Sequence, residues 1–218
     1  MSPNKIKQMI RTMLRYRRNV KNRKRLINKD FTIISCNCIG GVISHELGME
    51  FRSPTINLFF KAPDFLKFCS NIKHYLNSPL MEIEDSKTLY PVIRCDDITL
   101  NCVHYQDFNE VQVKWRARSK RINWKNLFFI MVERDGCTKE DIIKFDALPF
   151  PNKVIFVHKP MPDIASAMYI PGTELDGENG QWVKMLTAYK GLFTGKRYID
   201  DFDYVTFLNT GEKRLAKD

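Results

Sequence analysis

Residues 31–49 read FTIISCNCIGGVISHELGM, and the order of residue types here sets the expected fold class. Phe31 to Ser35 is an apolar, β-branched run of the length of a buried strand. Ser35-Cys36-Asn37-Cys38 interrupts it. Gly40 and Gly41 then open a helix running to about Leu47, and Gly48 suits the left-handed residue that closes a helix. A strand, a short turn and a helix in that order point backbone N–H groups outward at the helix start. In open α/β sheets, ligands bind outside the carboxyl ends of the strands.

The same alternation continues outward from this stretch. TINLFF (55–60) is a second β-prone run. DFLKFCSNIKHYL (64–76) reads as a helix with Leu66, Phe68, Ile72 and Leu76 on its buried side. YPVIRCDDITLNCVHY (90–105) predicts a hairpin turning at Asp96-Asp97. Asp107 caps a helix over 108–122. Strand NLFFIMV (126–132), loop ERDGCT (133–138), helix KEDIIKF (139–145) and strand KVIFVH (153–158) follow. In the tail, GQWVKMLTAY (180–189) reads as a helix and DYVTFL (203–208) as a β-like run. Strands alternating with helices predict an α/β fold. Its central sheet is largely parallel and flanked by helices, with a β-hairpin insertion and an N-terminal basic amphipathic helix.

Charge divides the chain. Residues 1–30 hold eleven Lys or Arg and one acid, Asp30; removing these from the totals of 35 basic and 25 acidic residues leaves 24 of each. The excess sits in a basic leader, 1–30, followed by a neutral single α/β domain, 31–218. A general nucleic-acid-binding body would carry its own basic stripe, so no sequence-specific nucleic acid is expected. Within the leader, residues 4–28 read as one helix with a stripe of Ile6, Met9, Ile10, Met13 and Leu14. Three readings stay open: the stripe packs on the body, the helix lies on an anionic membrane surface, or it meets nucleic acid. No apolar run reaches membrane-spanning length, and the N-terminus lacks a secretory signal. The expected location is cytoplasmic, or peripheral to the inner face of the membrane.

The six cysteines, Cys36, Cys38, Cys69, Cys95, Cys102 and Cys137, lie scattered through apolar segments. That pattern reads as reduced thiols. Cys36-x-Cys38 lacks the spacing of a zinc or redox pair, so no metal is expected. CNCIGG meets no nucleotide-binding fingerprint.

The motifs ISCNCIGGVISHELGMEFRSPTINLFF, FLKFCSNIKHYL, HYQDFNEVQVKWRARSKRI and NLFFIMVERDGCTKEDIIKFDALPFPNKVIF together resemble a bacterial family described as a domain of unknown function (DUF1919). The resemblance covers about residues 30 to 210. That family is often labelled exopolysaccharide biosynthesis protein. Its turn reads S-N-N-C-W-G-G, which Ser35, Asn37, Cys38, Gly40 and Gly41 match, while Cys36 and Ile39 depart from it. The label implies a place near capsule, exopolysaccharide or lipopolysaccharide assembly. It implies no reaction and no catalytic residues.

Candidate site residues therefore rest on chemistry. The turn residues Ser35, Asn37, Cys38, Gly40 and Gly41 are ligand-binding candidates, through backbone amides and the Asn37 side chain. Arg118 falls in line with Val111, Trp115 and Ile122. A buried Arg needs a partner: a core carboxylate or a ligand phosphate. His104 ends the hairpin, and His is the usual neutral-pH acid or base. Asp135 follows a predicted strand and either forms a turn with Gly136 or meets a ligand. His104 and Asp135 are the catalytic candidates. Two functions stay open. One is a sugar or phospho-sugar transferase using an activated sugar or other anionic small molecule. The other is a non-catalytic accessory protein of the assembly machinery at the membrane surface. No cofactor is indicated.

Overall fold

The computed structural model of the protein describes residues 3–84 and 88–217. Helix α1 (Pro3–Arg25) precedes strand β1 (Thr32–Ser35), α2 (Ile39–Leu47), α3 (Ala62–Ser70) and α4 (Ile72–Asn77). Strands β2 (Leu80–Ile83), β3 (Val92–Cys95) and β4 (Ile98–Asn101) follow, then α5 (Phe108–Ser119), β5 (Leu127–Val132), α6 (Lys139–Asp146), β6 (Lys153–Val157), β7 (Ala167–Tyr169) and α7 (Tyr204–Thr210). Short 3-10 turns cover Glu178–Gly180 and Tyr198–Asp201.

The main sheet has the order β1-β5-β6-β7. Every pairing in it is parallel, with Ile34 opposite Phe129 and Met131 opposite Ile155. β1 is buried along its length, and so are β5 and β6 beyond their first residues. Strands covered on both faces read as continuous apolar runs, the pattern of IIS, FFIMV and VIFV. The second sheet, β2-β3-β4, is antiparallel and lies in the chain between α4 and α5. β3 and β4 turn at Asp96–Asp97, where Cys95 faces Ile98 and Asp96 takes φ 55°. The fold is thus α/β, with a parallel sheet flanked by helices and a separate hairpin sheet.

Capping places the helices. Asp107 accepts from the Glu110 N–H at the start of α5. At α6 Thr138 and Asp141 form a reciprocal capping box. Gly48 closes α2 at φ 70°.

Four expectations are corrected. TINLFF forms no strand; only Phe59 bridges to Asn101, and Asn57 sits at φ 70°. GQWVKMLTAY is not a helix. Its Trp182 and Val183 N–H groups both donate to the Glu133 carbonyl, which uses them at the end of β5. DYVTFL is part of helix α7. Asp203 caps it by accepting from the Thr206 N–H, and Tyr204, Val205, Phe207 and Leu208 are buried. A short apolar run fits a strand or a buried helix equally, and here capping and tertiary packing decide. The helix expected over 64–76 breaks at Asn71 into α3 and α4.

Candidate functional site

A cleft of about 440 Å³ opens at the carboxyl ends of β1 and β5. Four separate chain segments supply its polar lining. The β1–α2 turn brings Asn37 and Cys38, the loop after β4 brings His104, the end of β5 brings Arg134 and Asp135, and the C-terminal region brings Thr187 and Arg197. Ile39, Val42, Phe59, Val132 and Leu186 supply apolar wall. Apolar walls with a few converging polar groups are the usual composition of a small-molecule site. The structure thus brings together Asn37, Cys38, His104 and Asp135 among the expected residues. Ser35, Gly40, Gly41 and Arg118 lie behind the lining.

The β1–α2 turn is held by its own side chains. The Asn37 carboxamide oxygen accepts from the Ile39 N–H at 3.1 Å, and Ser35 Oγ accepts from the Gly40 N–H at 3.2 Å. Ser35 Oγ in turn donates to the Asn37 carbonyl at 2.7 Å. Two amides expected to be free for an anion are therefore already paired. The glycines serve packing. A Cβ on Gly40 would lie 2.6 Å from Ser35 Oγ and 2.9 Å from Ile33 Cγ2, and one on Gly41 would lie 3.2 Å from Ile56 Cγ2. They let α2 approach β1 and the 53–58 loop, and that approach sets where Asn37 and Cys38 face the cleft.

Arg118 works one layer back. It is buried on α5 and donates to the Ile56 carbonyl at 3.1 Å and the Tyr105 hydroxyl at 2.7 Å. Tyr105 donates to the same Ile56 carbonyl at 2.8 Å, and burial raises its phenol to about 12. The guanidinium also lies over the Phe51 and Tyr105 rings, at 5.5 and 5.9 Å. A carbonyl, a phenol and two rings occupy the place expected for a carboxylate or a phosphate. This knot ties the 51–60 loop to the His104 loop and so fixes one rim of the cleft. Trp115 on the same helix is buried against Phe68.

Asp135 adopts φ 56°, the left-handed region that Asp tolerates better than most side chains. Its carbonyl accepts from the Ala62 N–H, and its Oδ1 accepts from Gln181 at 3.1 Å. Arg134 donates to the Val183 carbonyl. His104 is exposed, and its ring makes no hydrogen bond to any described residue.

Sequence reasoning missed two groups. Arg197 enters the cleft from 160 residues downstream of the turn. Its Nε donates to the buried Glu46 carboxylate at 3.1 Å, another N–H reaches the Thr187 carbonyl, and its guanidinium lies 4.6 Å over Tyr189. Burial lowers this guanidinium from its ordinary value. The second group is Glu133 with His158, at the adjacent ends of β5 and β6. The buried Glu133 Oε2 accepts from His158 Nδ1 at 2.7 Å and from its backbone N–H at 2.9 Å. Trp182 stacks on the imidazole at 4.9 Å. A carboxylate on Nδ1 fixes the ring and leaves Nε2 as the available nitrogen. The one signal for either group was position: Glu133 directly follows a predicted strand and His158 ends one.

All six cysteines are free; Cys38 is half-buried and the others are buried. Burial pushes the Cys38 thiol up and the Cys36 thiol to about 12. A raised pKa disfavours the thiolate that nucleophilic chemistry requires. Among the described residues no cluster of three or more His, Cys, Asp and Glu is arranged to hold a metal ion. No described helix is long and apolar enough to cross a membrane.

The family model described as domain of unknown function (DUF1919) matches residues 9–209. The chain is also similar to an uncharacterized protein of Haemophilus influenzae, at 40% identity over 205 residues. That match covers 94% of this chain and 97% of the relative.

Proposed function

We propose that this chain, which belongs to the family described as domain of unknown function (DUF1919), acts in surface-polysaccharide biosynthesis as a sugar or phospho-sugar transferase. Its donor is an activated, anionic sugar held in the cleft at the β1 and β5 ends. The polysaccharide assignment rests on the label that the resemblance read from the sequence implies. The site assignment is carried by one observation: Asn37, His104, Arg134, Asp135 and Arg197, from distant parts of the chain, line a single cleft at the carboxyl edge of a parallel sheet.

Such a transfer breaks the bond between donor group and leaving phosphate and joins that group to an acceptor hydroxyl, whose proton passes to a base. Arg134 and Arg197 are the cations available to the phosphate. Asn37 offers both a donor and an acceptor to sugar hydroxyls. His104 and Asp135 are the groups placed to take the proton. The protein works at the cytoplasmic face of the membrane, where the basic segment 1–28 meets anionic lipid.

A second reading is a non-catalytic accessory protein that binds the same ligand class. It is favoured by the state of the lining acid–base groups: His104 has no carboxylate partner among the described residues, and one Asp135 oxygen is taken by Gln181. Thermal unfolding with a panel of nucleotide sugars tests both. A ligand at about 100 times its Kd adds ~2.7 kcal/mol to stability and raises the midpoint. Asp135→Asn, which keeps a side chain tolerant of this backbone, and His104→Gln then separate the readings. Loss of turnover with binding kept supports the transferase. Binding without turnover in the unaltered protein supports the accessory role.

A further inference from the structure

Helix α1 is set on the body the opposite way round from a helix that buries its apolar stripe. Its inward face is polar. Arg15 is buried between the Glu46 and Asp200 carboxylates, Asn22 donates to the Tyr204 hydroxyl at 2.8 Å, and Arg11 donates to the Gly191 and Leu192 carbonyls at 2.8 and 2.9 Å. These three residues, at spacings of four and seven, occupy one side of the helix. The apolar row Ile6, Met9, Met13 and Tyr16 therefore faces outward. Met9 is 58% exposed, Met13 48% and Tyr16 65%. Beside this row stand Lys5, Arg17, Lys21 and Lys24, all exposed and without an ion-pair partner among the described residues.

From this geometry we propose that the outward face of α1 is an insertion surface for an anionic bilayer. Met9, Met13 and Tyr16 enter the headgroup boundary, and the flanking Lys and Arg lie among lipid phosphates. This rests on the peripheral-membrane reading above and adds to it: the buried Arg15 clamp aims the apolar row at the membrane, so contact is insertion and not charge attraction alone. An outward apolar row flanked by cations is the composition of a helix lying in the interface plane. A nucleic acid would use the cations and leave the apolar row exposed to water. A second copy of the chain would bring Lys5, Arg17 and Lys24 against their own equivalents, a repulsive pairing.

The test uses the full-length protein and vesicles of phosphatidylcholine with or without phosphatidylglycerol. Sedimentation is measured for the unaltered chain, for Met9→Asp with Met13→Asp, and for Arg17→Glu with Lys21→Glu. These are surface positions, and circular dichroism confirms that the variants fold. The proposal predicts co-sedimentation with the anionic vesicles that falls at least about tenfold in both double variants. A Met13→Trp variant should show a blue-shifted emission on those vesicles and quenching by brominated lipid chains. Unchanged binding of the Asp variant, or an unshifted Trp, overturns insertion and leaves electrostatic attachment standing. No binding of the unaltered protein at low salt overturns insertion and attachment together. A concentration-dependent dimer abolished by the Asp variant assigns the face to a second copy and also overturns the proposal.

Discussion

The Arg15 guanidinium meets the Glu46 carboxylate as a fork, with Nε 2.7 Å from Oε1 and a second N–H on Oε2, and both side chains are buried. Arg15 also reaches Asp200, which Arg18 approaches at 3.8 Å, and Glu46 accepts from Arg197, so three cations meet two carboxylates between α1 and the body. The same Arg197 lines the cleft. A helix at the N-terminus, the end of α2 and one wall of the cleft thus share a single ion network. Arg15→Ala removes the cation shared by two buried carboxylates and should cost about 3–5 kcal/mol. Urea unfolding at pH 7 measures it. A change below about 0.5 kcal/mol, the size of a surface substitution, would show that the clamp adds nothing.

Arg118→Ala should destabilise by about 1–3 kcal/mol, because the Ile56 carbonyl and Tyr105 hydroxyl lose a charged donor. Arg116, exposed two residues earlier on α5, should change stability by less than about 0.5 kcal/mol when replaced by Ala. Denaturant midpoints of the two variants give the comparison. Equal effects would place Arg118 outside the knot described above.

Asp203 caps α7 and receives Arg25 from α1 at 2.6 Å. Burial alone would raise its carboxyl, but bonds from Arg25, Thr206 and Arg214 outweigh that and hold it at about 2. A depressed carboxylate stabilises the fold above the ordinary value near pH ~4 and loses that contribution as pH falls. Stability should therefore decline between pH ~4 and about 2. Asp203→Asn should flatten that limb in an acid titration followed by circular dichroism. An unchanged limb would assign the acid loss to other groups.

Cys38 is the one half-buried thiol, and its pKa is raised by burial. In native protein a thiol reagent at pH 8 should label at most this cysteine, more slowly than free cysteine, while all six react after denaturation. Rapid labelling of Cys38 would instead identify an activated nucleophile.

Much of the fold was legible because the parallel strands β1, β5 and β6 are covered on both faces and so read as unbroken apolar runs. Asp107 announced its helix through cap chemistry. The tail was harder. DYVTFL has strand-like residues but folds as α7 because Asp203 caps it and its apolar side chains face the core. Trp182 and Val183 spend their N–H groups on the Glu133 carbonyl, a contact 49 residues distant that no local pattern records. In the cleft lining, Asn37, Cys38 and Asp135 were legible from their places after predicted strands, and His104 from the end of the hairpin. Arg197 lies in a segment with no periodic signal, and its position depends on Glu46. The orientation of α1 was open for a similar reason. Its apolar stripe is plain in sequence, but the buried partners that turn Arg15 inward come from Glu46 and Asp200.

The most direct measurement is a crystal structure of the protein soaked with the nucleotide sugar that most raises its thermal midpoint. Ligand density is expected in the cleft between the β1 and β5 ends, within hydrogen-bond reach of Asn37 and of Arg134 or Arg197. Density at another surface with this cleft unchanged, or no thermal shift across the whole panel, would contradict that expectation.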